Sequence, residues 1–449
     1  VRILYIHQYF CTRAGRSGTR SYEFAKDLLR RGHRVTMLTS DSDLSDIRLE
    51  PGQNVARLDV EGIEVVAVRV GYSQHMGPAQ RLHSFLRFMV LSSWMACRAR
   101  GHDVVVATST PLTVGVPGLL AHWVHRIPLV FEVRDLWPEA PIQMGVVRNP
   151  LVIAALRAFE RLVYRCSARV IALSPGMRDG VVAAGTPQHK LATIPNCSDL
   201  DLFHPGSQGD AVRARYGLEG RFVVAYAGSM GEANGIDLLV DAATELQARG
   251  HDDIAFLLVG QGKQAEAVGR EVERRGLHRV VFAGSLPRRD VALVLQASHA
   301  CAVLFKNLPV LATNSPNKLF DALAAGRAVI VNSDGWTRRL VEEHGVGVYA
   351  EPGSAAALAE RILWLSRHPE TCADMGRRAR RLAERDYDRL ELAGRFEAVL
   401  RASTGGLPGP PAAAPPAAPP VAPPARRRDP APADAEAHLA EPAGMRRRL

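Results

Sequence analysis

Lysine is scarce in this 449-residue chain: of its 56 basic residues only five, Lys26, Lys190, Lys263, Lys306 and Lys318, are lysines. A skew this strong toward arginine, with abundant alanine, glycine and proline, is what a GC-rich coding sequence produces. The net charge of +10 is therefore a weak sign of a polyanionic partner. No stripe of interleaved aromatic and basic residues marks a nucleic-acid surface, and none is expected to bind. Cysteine is also sparse. Cys11, Cys97, Cys166, Cys197, Cys301 and Cys372 form no CxxC pair and no Cys/His cluster, which argues against a disulfide framework or a zinc site. They are expected to be reduced and mostly buried. No run approaches the ~20 apolar residues that span a bilayer. The opening "VRILYIHQYF" lacks a separate basic region and reads as a strand, not a secretory leader. The expected location is cytoplasmic. Two further absences concern cofactors. The first glycine loop is Gly15-x-x-Gly18, not G-x-G-x-x-G, which argues against a dinucleotide, and no DxD-type acidic pair stands beside the glycine loops, so no metal is expected.

The hydrophobic fraction of 47% supports sizeable cores, and the length suggests two or three domains. Apolar runs alternate with helical patterns throughout. "RILYIHQY", "RVTMLTS", "EVVAVRV", "DVVVATS", "PLVFEVR" and "RVIALS" read as buried strands of a doubly wound parallel sheet. A second series follows "IPNCSDLDLFHPGSQGD": "RFVVAYAG", "IAFLLVGQG", "VVFAGS", "ACAVLF", "AVIVNS" and "GVGVYA". The fold class is α/β, with a first domain over 1–200, a second over 206–384, and a hinge near 195–210. A return helix at about 385–402 is expected to cross back onto the first domain. The Pro/Ala-rich tail 403–449 has almost no large apolar residues, cannot offset its ordering entropy, and is expected to be disordered.

The stretch "NSPNKLFDALAAGRAVI" carries the chemistry. Ser315 is placed to cap a helix and Pro316 to open it. Asn317 and Lys318 then fall in the first turn, where a lysine opposes the helix dipole unless an anion sits in front. Asp321 is three residues beyond Lys318 and four beyond Asn317, on the same face. The spacing suits a phosphate at the helix tip with a hydroxylated sugar beside Asp321, and equally suits a plain Lys318–Asp321 surface pair. Two further loops place glycine between strand and helix: Gly228, Gly231 and Gly235, then Gly260, Gly262 and Lys263. Glycine lets backbone amides approach phosphate.

With these motifs in order, the chain resembles the retaining glycosyltransferases of family GT4, which have a GT-B fold of two Rossmann-like domains facing across a cleft. The segments "YAGSMGEANGIDLLVDA", "LLVGQGK", "VVFAGSLPRRDV" and "PNKLFDALAAGRAVIVNSDG" carry the likeness, which extends over residues 1–400. The opening "LYIHQYFCTRAGRSGTRSYEFAKDLLRRGHRVTMLTSD" and "FEVRDLWPE" resemble the WbuB-type enzymes of surface-polysaccharide synthesis. The resemblance implies transfer of a sugar, of the N-acetylated deoxyhexosamine kind, from a UDP-sugar to a lipid-linked or glycan acceptor. It also implies a peripheral position on the inner face of the cell membrane. A nucleotide-sugar epimerase on the same fold, or a transferase with a soluble acceptor, are the alternatives.

The resemblance further implies a donor site. Gly228 and Ser229 would face the pyrophosphate, Gly260, Gly262 and Lys263 would border the nucleotide, and Leu286 would present its backbone to the base. The tip from Ser315 through Pro316, Asn317 and Lys318 to Leu319 would hold phosphate and sugar, and Asp321 the ribose. Gly15 and Gly18 would approach the diphosphate from the first domain. Arg134, Asp135 and Lys318 are the catalytic candidates. Three departures stand out. Thr313 occupies the family's first glutamate position, Ser229 and Asn234 replace an Arg and a Lys, and Arg134 replaces a histidine. Arginine stays protonated, so Arg134 would act electrostatically. His7, closing the first strand, reads as a satisfied cleft residue. The segment Arg81–Arg100 reads either as a core-packed helix or as an interfacial one, with Leu82, Phe85, Leu86, Phe88, Met89 and Trp94 among its arginines.

Overall fold

The structure, a computed structural model, describes residues 1–15, 18–42, 45–73 and 76–405, all within one compact unit. Two sheets organise it. The first contains β1 (Arg2–Ile6), β2 (Arg34–Ser40), β3 (Val55–Val60), β4 (Ile63–Val68), β5 (Val104–Thr108), β6 (Leu129–Val133), β7 (Arg169–Ala172) and β8 (Leu191–Thr193). Their order is β3-β4-β2-β1-β5-β6-β7-β8, and β3 alone runs antiparallel, on β4. The second contains β9 (Phe222–Ala227), β10 (Ile254–Val259), β11 (Val280–Gly284), β12 (Ala300–Val303), β13 (Ala328–Val331) and β14 (Gly347–Tyr349), in the order β11-β10-β9-β12-β13-β14. All its pairings are parallel. The two α/β lobes form the GT-B architecture.

The strands follow from sequence. β1, β5, β6, β10 and β13 are near-continuous apolar runs and are buried on both faces, as parallel strands under helices must be. In each sheet the order reverses beside the lobe's first strand, at β1/β5 and β9/β12. Loops leaving the carboxyl ends of strands at such a point splay apart and leave a crevice. Here both crevices open into the same cleft.

The segment that joins the lobes is anchored at three places. Arg20, buried on the first helix (Arg20–Arg30), pairs with buried Glu132 at 2.9 Å and donates to the Ile194 carbonyl at 3.0 Å, and also to that of Pro195. Asn196 donates to the Ser315 carbonyl at 2.7 Å, and Ser198 to that of Phe320 at 3.0 Å. The chain then returns. The helix Pro369–Asp386 packs on the second lobe, and Asp388 caps the next, Arg389–Ser403, by accepting from the amides of Leu390 and Glu391. That helix lies on the first lobe, with Phe396 fully buried between the rings of Tyr5 and Phe24. Arg389 at its start pairs with Asp199 (3.0 Å) and Asp201 (2.8 Å) of the outgoing segment.

Several expectations need correction. β3 and β8 were not among the expected strands. β3 is an exposed edge joined to β4 by the two-residue turn Glu61–Gly62, both at positive φ, as hairpin turns require. The helix Pro150–Cys166 was also not expected. Within the segment Arg81–Arg100, Phe88 is fully buried, and the Phe85 ring packs against Tyr72 (5.8 Å) and Trp137 (6.2 Å). These two residues face inward and belong to the core-packed side of the helix Pro78–Arg98. Cys11, Cys301 and Cys372 are buried and the other three cysteines partly so. The tail beyond Gly405, with its two RRR clusters, lies outside the described residues. Among the described residues no helix is long and apolar enough to cross a membrane.

Candidate active site

A cavity of about 460 Å³ lies between the lobes, at the carboxyl ends of both sheets. Its second-lobe wall is built from backbone. The loops after β9 and β10 touch so closely that a Cβ on Gly260 would come within 1.8 Å of the Gly228 carbonyl oxygen, and Gly260 holds φ +152. Only glycine fits there. Gly228, Ser229, Gly260 and Leu286 line the cavity.

The helix Asn317–Ala324 points its amino end into the same space. Pro316 precedes it, and no side chain caps the first turn. Ser315 therefore does not play the expected capping role: its hydroxyl accepts from the amide of Asn196 at 3.4 Å and joins the hinge. Leu319 is displaced from the expected site. Its side chain is fully buried in the core and does not reach the cavity, because a helix that buries one face must turn one residue of its first turn inward. Ser315, Pro316, Asn317, Lys318 and Asp321 do line the cavity.

Lys318 is the central group. Its ammonium donates to the Tyr226 hydroxyl at 2.9 Å and to the Asn234 side-chain oxygen at 3.0 Å, and it lies 4.3 Å from the centre of the Tyr226 ring. Both hydrogen-bond partners are neutral, and the Lys318–Asp321 pair that the spacing allowed does not form. Burial lowers the pKa of Lys318 to about 7. A cation so placed, beside an uncapped helix tip, is electrostatically incomplete until an anion arrives. Asp321 instead pairs with Arg288 at 3.2 Å. Burial raises the Asp321 pKa and the Arg288 guanidinium opposes that rise.

The first-lobe wall presents His7, Gly18, Thr110, Arg134 and Asp135. A Cβ on Gly18 would approach the Asn317 side-chain nitrogen Nδ2 within 2.7 Å, so Gly18 meets the side chain at the helix tip with no room for one of its own. The Arg134 guanidinium bonds His7 Nε2 at 3.1 Å. Arginine can only donate, so Nε2 accepts and the ring proton sits on Nδ1, facing Ser21 Oγ at 2.8 Å. Burial, then the charge of Arg134, holds the His7 pKa well below its usual value. Asp135 accepts from the Thr110 hydroxyl, and burial raises its pKa.

Besides Leu319, three candidate residues lie away from the cavity lining. Gly15 closes a turn on Thr12, with Cys11 and Asp46 against it. Gly262 packs against the Met230 backbone, and Lys263 is drawn outward by Glu232 at 2.6 Å. Thr313 turns toward Gly176 of the first lobe, and its hydroxyl donates to Val310 O. Tyr226, Arg288 and Asn196 escaped sequence reasoning. Arg288 was visible in "SLPRRDV", but its pairing with Asp321 depends on the packing of two helices. Among the described residues no cluster of three His, Cys, Asp or Glu could hold a metal.

Two parallel-sheet lobes, glycine loops and a cation-bearing helix tip across one cleft define a GT-B glycosyltransferase that uses a nucleotide sugar. Residues 17–197 match the Glycosyl transferase 4-like domain and residues 210–382 the Glycosyl transferases group 1 domain; the chain belongs to this family of glycosyltransferases. It is 23% identical over 411 residues to a GDP-mannose-dependent alpha-mannosyltransferase of Mycobacterium tuberculosis, covering 89% of this chain and 97% of that one. It is 24% identical over 279 residues to WcaI of Escherichia coli, named for colanic acid biosynthesis, covering 60% of this chain and 66% of that one. Among solved structures, sucrose-phosphate synthase from Thermosynechococcus elongatus superposes with a TM-score of 0.72 at 18% identity, over 89% of this chain and 98% of that one. Anabaena HepE in complex with UDP-glucose gives 0.66 at 20%, over 89% and 99%.

Proposed function

We infer that the enzyme is a retaining transferase that moves a sugar from a UDP-sugar to a lipid-linked sugar acceptor in surface-polysaccharide assembly. An N-acetylated deoxyhexosamine is the proposed sugar. The observation that carries the donor half is Lys318, a buried ammonium with only neutral partners at an uncapped helix tip. A diphosphate placed there would gain the Lys318 charge, the first-turn amides and, from across the cleft, Arg134. These cations do the work that a divalent metal does elsewhere, so the donor binds without one. Asp321, held in place by Arg288, is suited to accept from ribose hydroxyls. The HepE complex with UDP-glucose supports the choice of nucleotide.

In the reaction the diphosphate leaves with the bonding electrons of the glycosidic bond. Lys318 and Arg134 stabilise the charge that builds on it. Asp135, on the acceptor wall, is placed to hold the incoming hydroxyl. His7 keeps Nε2 as an acceptor and orients Arg134 toward the cleft. Calorimetric titration with UDP in EDTA tests the donor half, and strict dependence on Mg²⁺ or Mn²⁺ contradicts it. Incubation of a panel of UDP-sugars with a polyprenyl-diphosphate sugar tests the rest. Product on the lipid supports the reading; product only on a water-soluble acceptor refutes the lipid assignment.

A further inference from the structure

A second cavity, of about 670 Å³, lies at the opposite end of the first sheet. Its floor is Leu4, Leu38 and Val66, and its rim is basic: Arg2, Arg34, Arg57, Arg98, Arg100 and His102. Some of that charge is already matched, Arg2 by Asp103 (2.7 Å) and Arg57 by Glu64 (3.2 Å). His102 is engaged by the Thr36 hydroxyl and the Ala99 carbonyl. Arg34, Arg98 and Arg100 have no carboxylate partner among the described residues, and the Arg98 guanidinium carbon lies over the Trp94 ring, 4.0 Å from its centre. A groove with three unmatched guanidiniums over an apolar floor suits a phosphate attached to something greasy.

Trp94 joins this groove to a ridge. The helix Pro78–Arg98 has no acidic residue, and Leu82, Leu86, Val90 and Trp94 are 55%, 43%, 61% and 52% exposed. Spaced four apart, they form one stripe about 18 Å long. On the neighbouring helix Gly115–His125, which packs alongside, Trp123 and Val124 are exposed too. The far end of the ridge reaches the catalytic cleft. Phe85, one residue before Leu86, stands in a row of rings running Tyr9–Tyr72–Phe85–Trp137, and Tyr9 lines the donor cavity.

We propose that this ridge and groove are a docking site for an anionic phospholipid surface, with the stripe in the acyl boundary and a headgroup phosphate held by Arg34, Arg98 and Arg100. Apolar side chains on an acid-free helix with a basic end favour such a surface over neutral lipid. The arrangement lays the cleft mouth at membrane level, where a lipid-linked acceptor would present its sugar. The purpose of the site rests on the acceptor proposed above; its geometry does not.

The test is co-sedimentation of the full chain with phosphatidylglycerol-containing and pure phosphatidylcholine vesicles. Wild type should pellet with the anionic vesicles and fall off at high salt. The pairs Arg34→Glu/Arg100→Glu and Leu86→Ser/Val90→Ser should each weaken binding, the first on the order of tenfold or more, with UDP affinity unchanged. All four positions are exposed, so folding should survive. Glycerol phosphate alone should not release bound protein; if it does, the groove is a site for free phosphate esters and the membrane assignment fails. Undiminished pelleting of both pairs overturns the site, whatever the tail contributes. So does conversion of a dimer to a monomer by the serine pair with vesicle binding intact. Loss of UDP binding by wild type would instead refute the donor reading and leave the docking site standing.

Discussion

Replacing Lys318 by methionine should strengthen the empty protein and weaken the ligand. The pKa of Lys318 falls from 10.5 to about 7 through burial. At ~1.36 kcal/mol per unit, the charged form in the fold costs on the order of 5 kcal/mol. Methionine keeps most of the volume and removes the charge. It also leaves the Tyr226 hydroxyl and the Asn234 oxygen without their donor, which returns about 1–3 kcal/mol. A net gain of roughly 2–4 kcal/mol at pH 6 would raise the melting temperature by several degrees. The gain should shrink with pH. The folded pKa lies below the unfolded one, so between about pH 7 and 10.5 the unfolded chain binds the extra proton, and wild-type stability rises across that window. The variant lacks this slope. UDP affinity should move the other way, because a hydrogen bond to a charged group contributes about 1.5–3 kcal/mol, or roughly ten- to over a hundredfold. Scanning calorimetry at pH 6 and 8.5, with UDP titrations in EDTA, reads both quantities. A variant that melts lower at pH 6 and binds UDP as wild type does would refute the reasoning.

Asp321→Ala should weaken UDP and uridine alike by about tenfold, whereas Lys318→Met should spare uridine; competition titrations separate the two roles. Glu132→Gln leaves Arg20 as a buried charge without its counterion, and breaking such a pair costs about 3–5 kcal/mol, to be seen as a lower urea midpoint. Phe396→Ala should cost about 3–5 kcal/mol, because its ring is fully buried on the first lobe, while truncation after Gly405 should leave the melting temperature unchanged.

The two sheets were legible because their strands are long apolar runs separated by glycine-marked turns. β3 was not, since its residues are mostly exposed and its turn, Glu61–Gly62, lacks the usual Asn or Asp before glycine. The helix tip was legible from the lysine itself, an unfavourable residue in a first turn. What Lys318 touches was not: Tyr226 comes from β9 and Asn234 from the loop after it, 92 and 84 residues away. Leu319 was assigned to the ligand because it follows Lys318 in sequence. Helix rotation sends Leu319 into the core, whereas Ser315 lines the cavity while its hydroxyl serves the hinge and not the helix cap. Lys263 looked like a phosphate ligand by its place after Gly262, but Glu232 offers it a partner at the surface. Phe85 and Phe88 looked interfacial by composition, and only packing shows that Leu86 and Val90 are the exposed members.

The claim that Lys318 meets the donor's diphosphate has one direct measurement: the protons taken up when UDP binds at pH 8. In the empty cleft most Lys318 is neutral at that pH, given its pKa of about 7. A diphosphate beside it should restore the charge. Calorimetric titration in two buffers of different ionisation enthalpy should therefore report uptake approaching one proton per UDP, falling toward zero at pH 6 and absent in Lys318→Met. Binding of UDP at pH 8 with no proton uptake would contradict the account.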